Sequence, residues 1–373
     1  MRHIGILGAG YAGVRAAQDL ARVEGIGVTL IDRNPYHQLI TRLPEIVGGS
    51  LSPNKAQIPL ANVVSAGTRV LSGSITLVDT TTKTVQMDRQ TAVFDIILVA
   101  LGTRPSLPGQ HADDGVHTVK SLEGAMALRN ALQRLDGQAM RHRITIVGAG
   151  YTGTEVAGEI CTWASRRGLD LEVVLLSDEP RVMPSASAAL AHAAERILRG
   201  KGIMLQMDRP VVDVTANRVA LKNGDVIESD LVVWAGASVS GIPHSTGTIS
   251  PREDGRVQVD PFFLGACEDV YFLGDTALVP DFRHGGFLPA SAQMAVQHGE
   301  LVARNLAALS RGARPSEFRP RLLGEALAFG GGDAVGELAG IVVTGRVAAG
   351  IKSAALLRYL SRTGGPSLTA AYL

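Results

Sequence analysis

Cysteine is nearly absent from this sequence: its 373 residues include only Cys161 and Cys267. Neither belongs to a Cys-x-x-Cys pair, and no cluster of Cys and His has the spacing of metal ligands. This excludes a disulfide-stabilised scaffold and a redox-active cysteine pair, and it predicts no metal site. We expect both cysteines to be small buried hydrophobic residues in a reducing compartment.

Aromatic side chains, net charge and long apolar runs are also scarce. Aromatic residues make up 4% of the chain, and the formal net charge is +1. Binding of nucleic acid needs a concentrated basic face and stacking rings, so no nucleic-acid partner is expected. No uncharged apolar run reaches the roughly 18 residues of a spanning helix. The first residues enter a strand directly, so we expect no secretory leader and a cytoplasmic protein.

Glycine, by contrast, is abundant, with 43 residues, and it recurs in one pattern. The fingerprint Gly-x-Gly-x-x-Gly occurs at Gly8, Gly10 and Gly13 and again at Gly148, Gly150 and Gly153. Each copy follows an apolar β-branched run and leads into an alanine-rich helical stretch. In this context the glycines permit a tight turn, close approach of a pyrophosphate and packing of the helix on the strand. Two copies therefore predict two dinucleotide sites in one chain.

The two fingerprints begin longer modules with the same order of elements. Each module runs strand, glycine turn, helix, strand, hairpin and buried strand, and the buried strands end at Gly102 and Gly236. Asn223-Gly224 supplies a turn in the second hairpin. Repetition on this scale indicates duplication of a nucleotide-binding domain. The predicted fold class is α/β, with two Rossmann-like dinucleotide-binding domains and a short C-terminal region.

The end of the second strand distinguishes the first copy. Asp32 lies 19 residues after Gly13, where a carboxylate can bind both hydroxyls of an unphosphorylated adenosine ribose, as in FAD or NAD. Arg33 follows directly and is included among the predicted cofactor contacts. A tight strand-helix turn without a ligand is the alternative.

The corresponding position of the second copy is Ser177, followed by Asp178 and Glu179. We predict NADH as the ligand, with Asp178 or Glu179 on the ribose, although both acids are equally compatible with a solvated loop. Arg181 lies close by in the sequence, so a 2′-phosphate, and hence NADPH, stays open.

A third segment, CEDVYFLGDTALV, brings an apolar strand into Gly274-Asp275. After two dinucleotide folds, this resembles the FAD-closing motif of the two-dinucleotide flavoproteins. The chain resembles that superfamily from Met1 to about Leu309, in its glutathione-reductase-like fold but without the redox disulfide. The resemblance implies FAD in the first copy and a nicotinamide cofactor in the second.

One helix, predicted over residues 288–309, indicates the branch of this superfamily. Residues 292–297, AQMAVQ, match the Ala-Gln-x-Ala-x-Gln pattern of the type II NADH dehydrogenases, which are non-proton-pumping NADH:quinone oxidoreductases. Gln293 and Gln297 are four residues apart, so both amides project from one helix face. The resemblance implies that Ala292 contacts the cofactor, that the two glutamines orient a quinone, and that hydride passes from NADH to flavin N5 before two-electron reduction of the quinone.

Two charged residues complete the predicted site. Glu155 lies two residues beyond the last glycine of the second fingerprint, where the first copy has Arg15. The resemblance implies that Glu155 positions nicotinamide or manages protons near the flavin; the alternative is a favourable interaction with the helix dipole. The resemblance implies that Lys352 is the counterpart of a lysine that approaches the quinone in this family.

The predicted domains follow from these assignments. Residues 1–109 and 237–319 form the FAD-binding domain, residues 110–236 the NAD(P)H-binding domain and residues 320–373 the C-terminal region. Family members usually continue with amphipathic helices that dock on the membrane. Here GRVAAGIKSAALLRYLSR, with Arg358 and Arg362, suits either contact with the inner face of the cell membrane or an ordinary closing helix. A homodimer contact is left open.

Two other functions fit the same fold. One is a soluble NAD(P)H-dependent flavin reductase whose acceptor is ferredoxin, oxygen or a small quinone. The other is a redox-linked binding protein similar to apoptosis-inducing factor. The Ala-Gln-x-Ala-x-Gln helix favours the quinone enzyme over both.

Overall fold

The computed structural model describes residues 1–88, 90–109, 115–136, 140–247, 251–265, 267–282 and 285–372. The chain forms two compact units. The first unit consists of Met1–Gln38, Gln57–Arg104 and Val239–Leu322; the second consists of Leu39–Ala56, Pro105–Ser238 and Leu323–Leu373.

The α-helices in the described residues are α1 (Tyr11–Leu20), α2 (Leu43–Val47), α3 (Leu122–Leu135), α4 (Tyr151–Arg167), α5 (Ala188–Gly200), α6 (Ala292–Leu309) and α7 (Gly345–Tyr372). The strands are β1 (Arg2–Leu7), β2 (Ile26–Asp32), β3 (Tyr36–Gln38), β4 (Gln57–Pro59), β5 (Thr68–Ser72), β6 (Ile75–Asp79), β7 (Thr84–Met87), β8 (Gln90–Val93), β9 (Ile96–Val99), β10 (Thr103–Pro105), β11 (His117–Thr118), β12 (His142–Val147), β13 (Leu171–Leu176), β14 (Met204–Gln206), β15 (Val211–Thr215), β16 (Arg218–Leu221), β17 (Val226–Glu228), β18 (Leu231–Trp234), β19 (Ser238–Ser240), β20 (His244–Thr246), β21 (Val257–Gln258), β22 (Val270–Phe272), β23 (Ala277–Leu278), β24 (Glu325–Ala328), β25 (Ala334–Leu338) and β26 (Ile341–Thr344).

The first unit is built on a parallel sheet with the strand order β22-β9-β1-β2-β5. Its central strand β1 is buried from Ile4 to Leu7, as a strand covered on both faces must be. Helices α1 and α6 pack closely. Gly299 of α6 permits this approach because it has no Cβ, which would collide with the carbonyl oxygen of Ala12 in α1. This helix pair carries the first glycine turn at one of its ends.

The second unit repeats the arrangement, with a parallel sheet of order β11-β18-β12-β13-β14. Strand β12 takes the place of β1, β13 that of β2 and β18 that of β9. The outer strand differs, since β22 comes from the third segment of the chain whereas β11 comes from its own module. Large aliphatic side chains and Trp163 fill the space between this sheet and α3, α4 and α5.

Both predicted hairpins are present, each extended by a further strand. In the first unit β6, β7 and β8 form an antiparallel meander, joined on the β6 edge by the parallel strand β20. In the second unit β15, β16 and β17 form a three-stranded antiparallel meander. Asn223-Gly224 lies in the turn between β16 and β17, and Gly224 has a φ of 91°, which a glycine adopts readily.

The C-terminal part contains a small antiparallel sheet, β24-β25-β26, followed by α7. The segment 345–362, predicted to be helical, lies within α7, and Gly365 (φ 70°) with Pro366 interrupts that helix. The helix predicted over residues 288–309 is shorter than expected: α6 begins at Ala292, because Ser291 caps it by accepting the Met294 N–H at 3.2 Å. Within the described ranges, every helix is too short or too polar to cross a membrane.

Candidate active site

The first glycine turn joins β1 to α1. Gly8 has a φ of 102°, and a Cβ there would collide with the carbonyl oxygen of Ala100. A Cβ on Gly13 would collide with the carbonyl of Gly8. Gly10 is different: its φ of −72° suits any residue, and a Cβ would lie 4.0 Å from the nearest protein atom, the Ala100 oxygen. Neither conformation nor protein packing requires glycine at position 10, so the open space at this helix N-terminus fits a pyrophosphate.

In the second turn, between β12 and α4, the first and third glycines are again required by the backbone and its packing, and the middle one is not. Gly148 has a φ of 105° and would bring a Cβ within 2.5 Å of the Ala235–Gly236 peptide, and Gly153 would collide with the Gly148 carbonyl. Gly150 has a φ of −71° and no heavy atom within 4 Å of a built Cβ. Each glycine turn therefore has open space at the N-terminus of its helix, beside Gly10 in the first unit and Gly150 in the second.

Asp32 ends β2 beside the first turn. Its Oδ2 accepts the Ala9 N–H at 2.7 Å and its Oδ1 accepts the Asn34 N–H at 2.8 Å. Burial raises the pKa of Asp32, and these backbone hydrogen bonds oppose the rise. A carboxylate offers about four acceptor positions. The backbone N–H of Arg33 is a third donor to it, so about one position remains for a ribose hydroxyl. Arg33 is exposed next to it, and the cofactor roles of both residues stay predictions.

His37, which the sequence did not single out, supports the same turn. Its ring is fully buried, and Nδ1 lies 2.8 Å from the carbonyl oxygen of Ala9. Burial lowers the pKa of His37 to about 4, so the ring is neutral and donates this hydrogen bond. Ala9 is thus held through its N–H by Asp32 and through its C=O by His37, which fixes the turn.

The third segment reaches the same sheet. Strand β22 pairs with β9, so Gly274-Asp275 follows at the carboxyl end of the strand beside the one that leads to Gly102. Gly274 has a φ of 63° and donates its N–H to Nδ1 of His298 at 3.1 Å. Burial lowers the pKa of His298 to about 3, so this histidine is a neutral acceptor. Sequence reasoning missed His298, because only the fold brings α6 against this turn.

The quinone-binding prediction rests on Gln293 and Gln297 of α6. Both are partly exposed near the beginning of the helix. The amide of Gln297 is paired with one backbone unit: Oε1 accepts the Arg321 N–H at 2.9 Å, and Nε2 donates to the Arg321 carbonyl at 3.0 Å. Nε2 also lies 3.3 Å from the Gln293 carbonyl. To bind a quinone, the Gln297 amide would have to break its hydrogen bonds to the backbone of Arg321 and form new ones to the ligand.

Glu155 and Lys352 lie together in the second unit. The Lys352 Nζ is 2.6 Å from Oε1 of Glu155, which also accepts the Ala328 N–H at 3.0 Å. Lys352 Nζ lies 3.8 Å from Oε1 of Glu45 as well. Burial alone would lower the pKa of Lys352, but the carboxylates of Glu155 and Glu45 outweigh it and raise the pKa above its usual value. The lysine is therefore charged and neutralises Glu155.

A cavity of about 200 Å³ lies at the carboxyl ends of β12 and β18, within the second unit. Its lining includes Gly150 and Gly236, both predicted cofactor contacts, together with Tyr151, Trp234 and Lys120. Backbone amides at the start of α4 and an aromatic wall suit a nucleotide with a phosphate and a flat ring.

Tyr151, on the wall of this cavity, is tied to the C-terminal sheet. Its hydroxyl donates to Oε2 of Glu325 at 2.5 Å. Burial and then this carboxylate raise the pKa of Tyr151, so the hydroxyl keeps its proton. The C-terminal sheet therefore helps to shape the cavity.

Ser177 stands where the first copy has Asp32. Its Oγ accepts the Glu179 N–H at 3.1 Å, as Asp32 accepts the N–H two residues on. Asp178 and Glu179 are exposed. Their predicted role at the ribose stays a prediction.

Arg181 is the residue that kept NADPH as a possible ligand in the sequence analysis. Its guanidinium is hydrogen-bonded to nearby backbone carbonyls. Its Nη2 donates to the carbonyls of Pro184 and Ala186, each at 2.8 Å. A guanidinium held by backbone carbonyls is less available to a 2′-phosphate.

Cys161 lies on α4, and its thiol is in the unreactive, protonated form. Burial raises the pKa of its thiol to about 12. The reactive form of cysteine is the thiolate, which is negligible at such a pKa. Cys161 is only partly buried, not fully buried as predicted, and it packs against the hydrophobic core of the second unit.

Comparisons with known proteins show the family of this chain. The model of the pyridine nucleotide-disulphide oxidoreductases matches residues 2–299. The type II NADH:quinone oxidoreductase of Staphylococcus saprophyticus is 26% identical over 394 residues, which cover 97% of this chain and 96% of the relative. The corresponding enzyme of Mycobacterium tuberculosis is 30% identical over 350 residues, covering 84% of this chain and 74% of the relative.

Among solved structures, NDH2 from Plasmodium falciparum in complex with NADH has a TM-score of 0.84 at 15% identity, over 100% of this chain and 97% of that one. This likeness confirms the predicted α/β fold with two dinucleotide-binding domains. The chain belongs to the pyridine nucleotide-disulphide oxidoreductase family and, within it, to the type II NADH:quinone oxidoreductases. The resemblance inferred from the sequence is thereby confirmed.

Proposed function

We propose that this chain oxidises NADH and passes the electrons, through bound FAD, to a quinone. The observation that carries the proposal is the pair Gly10 and Gly150: each unit has a glycine turn with an open helix N-terminus that no protein atom fills. Two such turns match the two dinucleotides of this reaction. The predicted activity, enzyme class and NADH cofactor agree with the names of the relatives.

When bound, FAD supplies a carrier that accepts two electrons from NADH and releases them to the quinone. The residues of the first unit that would hold it are Asp32, at the adenosine ribose, and the Gly8–Gly13 turn, at the pyrophosphate. Gly274-Asp275 would approach the ribitol chain. In the second unit the Gly148–Gly153 turn and Gly236 would hold NADH, with Asp178 or Glu179 at its ribose.

We assign the quinone half-reaction to Gln293, Gln297, Glu155 and Lys352. The glutamines would orient a carbonyl by hydrogen bonds that add no charge. Reduction of a quinone by NADH consumes one proton from the medium, and Glu155 paired with Lys352 is suited to handle it. Ala292, a small residue at the first position of α6, would leave space for the cofactor.

The test uses the FAD-loaded protein under anaerobic conditions. Addition of NADH should bleach the flavin absorbance, and a menaquinone or ubiquinone analogue should restore it. NADPH serves as the control, and because Arg181 is occupied we expect it to bleach the flavin at least about tenfold more slowly. Bleaching by NADH without fast recovery in any quinone would contradict the proposal and favour the binding-protein alternative.

We further propose contact with an anionic membrane surface through α7. Val347 and Leu357 are 64% and 43% exposed, and Arg346 and Arg358 are exposed on the same helix. Exposed apolar and basic side chains together suit an interfacial helix. Sedimentation with vesicles rich in anionic phospholipid tests this: Val347→Glu should abolish binding, and unchanged binding would contradict it. The homodimer stays a prediction, to be tested by sedimentation velocity.

A further inference from the structure

A second buried carboxyl lies beside the Glu155–Lys352 pair. Glu159 follows Glu155 by one helical turn on α4, so both side chains project from the same face. Together with Glu45 of α2 and Lys352 of α7 they form what we call the carboxylate cluster, which lies entirely in the second unit. Glu159 is only 3% exposed.

The charges of the carboxylate cluster do not balance. Lys352 contacts Glu155 and Glu45, and Arg42 Nη2 lies 2.8 Å from Oε2 of Glu45. Among the described residues, no Lys or Arg lies within ion-pair distance of Glu159. Three carboxyls thus share two cations, and a buried carboxylate without a cation is costly. One proton on the cluster removes the imbalance, and Glu159 is where it is most favourable.

The packing around Glu159 is made for a carboxyl group. Gly48 has an ordinary φ of −70°, yet a Cβ there would collide with Oε2 of Glu159. A Cβ on Gly330 would lie 3.1 Å from the same oxygen. Ser50 Oγ is 3.4 Å from Oε2 and is the polar contact that the structure gives this carboxyl. Space for the carboxyl is therefore kept by two glycines from distant segments.

Each neighbouring element acts on the protonation of Glu159. The pKa of Glu159 is raised to about 7, mainly by burial and further by the carboxylates of Glu45 and Glu155, whereas Lys352 and the Ser50 hydroxyl oppose the rise. On the remaining side, near Gly330, the charges of Lys201 and Asp333 are paired with each other at 2.9 Å. Glu159 therefore exchanges its proton in the neutral range.

We propose that Glu159 is the proton reservoir of the quinone half-reaction: it holds one proton in the resting enzyme and releases it to the Glu155–Lys352 pair when that pair protonates the quinone. This inference rests on the proposed function. Glu159 acts through Glu155 and is a positioning residue for the proton, not a group that touches the substrate.

The proton balance closes. NADH, a quinone and one proton give NAD⁺ and the quinol. That proton leaves the ammonium of Lys352 for a quinone oxygen. The O–H bond of Glu159 then breaks, its proton passes through the Glu155 carboxylate to restore the Lys352 ammonium, and the Glu159 carboxylate is reprotonated from water. No electron passes through the carboxylate cluster.

The test compares Glu159→Gln, which keeps the shape and polarity of the protonated side chain but cannot release a proton, with Glu159→Asp. Glu172→Gln is the control, because Glu172 pairs with Arg143 at 2.8 Å and lies outside the cluster. In the FAD-loaded enzyme, NADH bleaching and quinone recovery are timed separately from pH 5.5 to 8.5. Wild type should lose quinone recovery as the pH rises through about 7.

Glu159→Gln should slow quinone recovery about tenfold near pH 6 and remove its dependence on pH around neutrality, while NADH bleaching is unchanged. Glu159→Asp should recover part of the rate. A folded Glu159→Gln variant with the wild-type pH profile would overturn the proposal, as would the same loss in Glu172→Gln.

A second measurement separates this inference from the proposed function. Infrared titration of the wild-type holoenzyme, without NADH or quinone, should show a protonated-carboxyl band that disappears near neutral pH and is missing in Glu159→Gln. If no quinone reoxidises the wild-type flavin, the proposed function fails, and the band still tests whether Glu159 holds a proton. Absence of the band overturns the proton reservoir by itself.

Discussion

The amine of Lys352 lies 2.6 Å from Oε1 of Glu155, although the two residues are 197 positions apart in the sequence. The pair joins α7 to the first turns of α4 within the second unit. Both side chains are largely buried, at 18% and 11% exposure. Removing one partner therefore leaves a buried charge uncompensated, whereas removing both does not.

This relationship gives a prediction for stability. Lys352→Met should destabilise the second unit by about 3–5 kcal/mol, since the Glu155 carboxylate loses its cation. The double variant Glu155→Gln with Lys352→Met should recover a large part of that loss. Thermal unfolding of wild type, Lys352→Met, Glu155→Gln and the double variant at pH 7 measures the effect. A double variant as unstable as the sum of the two single variants would show that the pair does not act as a unit.

Glu159 makes stability depend on pH in a definite direction. Its pKa rises on folding from an ordinary 4.5 to about 7, so its carboxyl favours the folded state below pH 4.5 and disfavours it progressively as the pH rises through 7. Glu159→Gln should match the Tm of wild type near pH 5 and exceed it at pH 8.5. Differences between variant and wild type isolate this group from other titrating residues. A Tm difference that stays constant with pH would contradict the raised pKa.

Gly150→Ala should separate folding from binding. The new methyl meets no protein atom, and loss of a glycine N-cap lowers Tm by only about 4 °C or less. Because the methyl would occupy the space of the pyrophosphate, KM for NADH should rise about 10–100-fold. Gly200→Ala, at the exposed end of α5 and equally free of contacts, is the control and should keep the wild-type KM. An unchanged KM in Gly150→Ala would remove the argument for this phosphate site.

Gln297→Ala should slow quinone recovery about tenfold or more and leave NADH bleaching intact, if its amide binds the quinone. Arg321→Ala is the matched control, since it retains the peptide group with which Gln297 pairs. We expect that control to behave as wild type. Equal loss of both half-reactions in Gln297→Ala would contradict a role in quinone binding and show that the amide serves to hold the backbone of Arg321 in place.

The sequence predicted those features whose causes are local. The glycine turns, the strand that ends at Asp32 and the Asn223-Gly224 turn depend on residues close together in the chain. Duplication made the prediction stronger, because β12, β13 and α4 had to repeat β1, β2 and α1. Helix α6 begins four residues after the predicted start at residue 288, because Ser291 caps it by accepting the Met294 N–H.

The rest of the site depends on contacts between distant segments. Glu45, Glu159 and Lys352 come from three separate helices, and no spacing in the sequence relates them. The protonation of Glu159 follows from burial, which periodicity alone does not give for a glutamate. The hydrogen bonds between Gln297 and Arg321 could not be predicted from the sequence either, because residues 313–324 form no helix or strand and have no periodic pattern.

The central claim is that a quinone is the electron acceptor, and one rapid-mixing measurement tests it most directly. The FAD-loaded protein is reduced anaerobically with one equivalent of NADH and then mixed with a menaquinone analogue, and the return of oxidised flavin absorbance is timed. The account predicts a recovery rate constant at least as large as the steady-state kcat for NADH:quinone turnover. Recovery slower than turnover, or slower than with ferredoxin or oxygen, would contradict it.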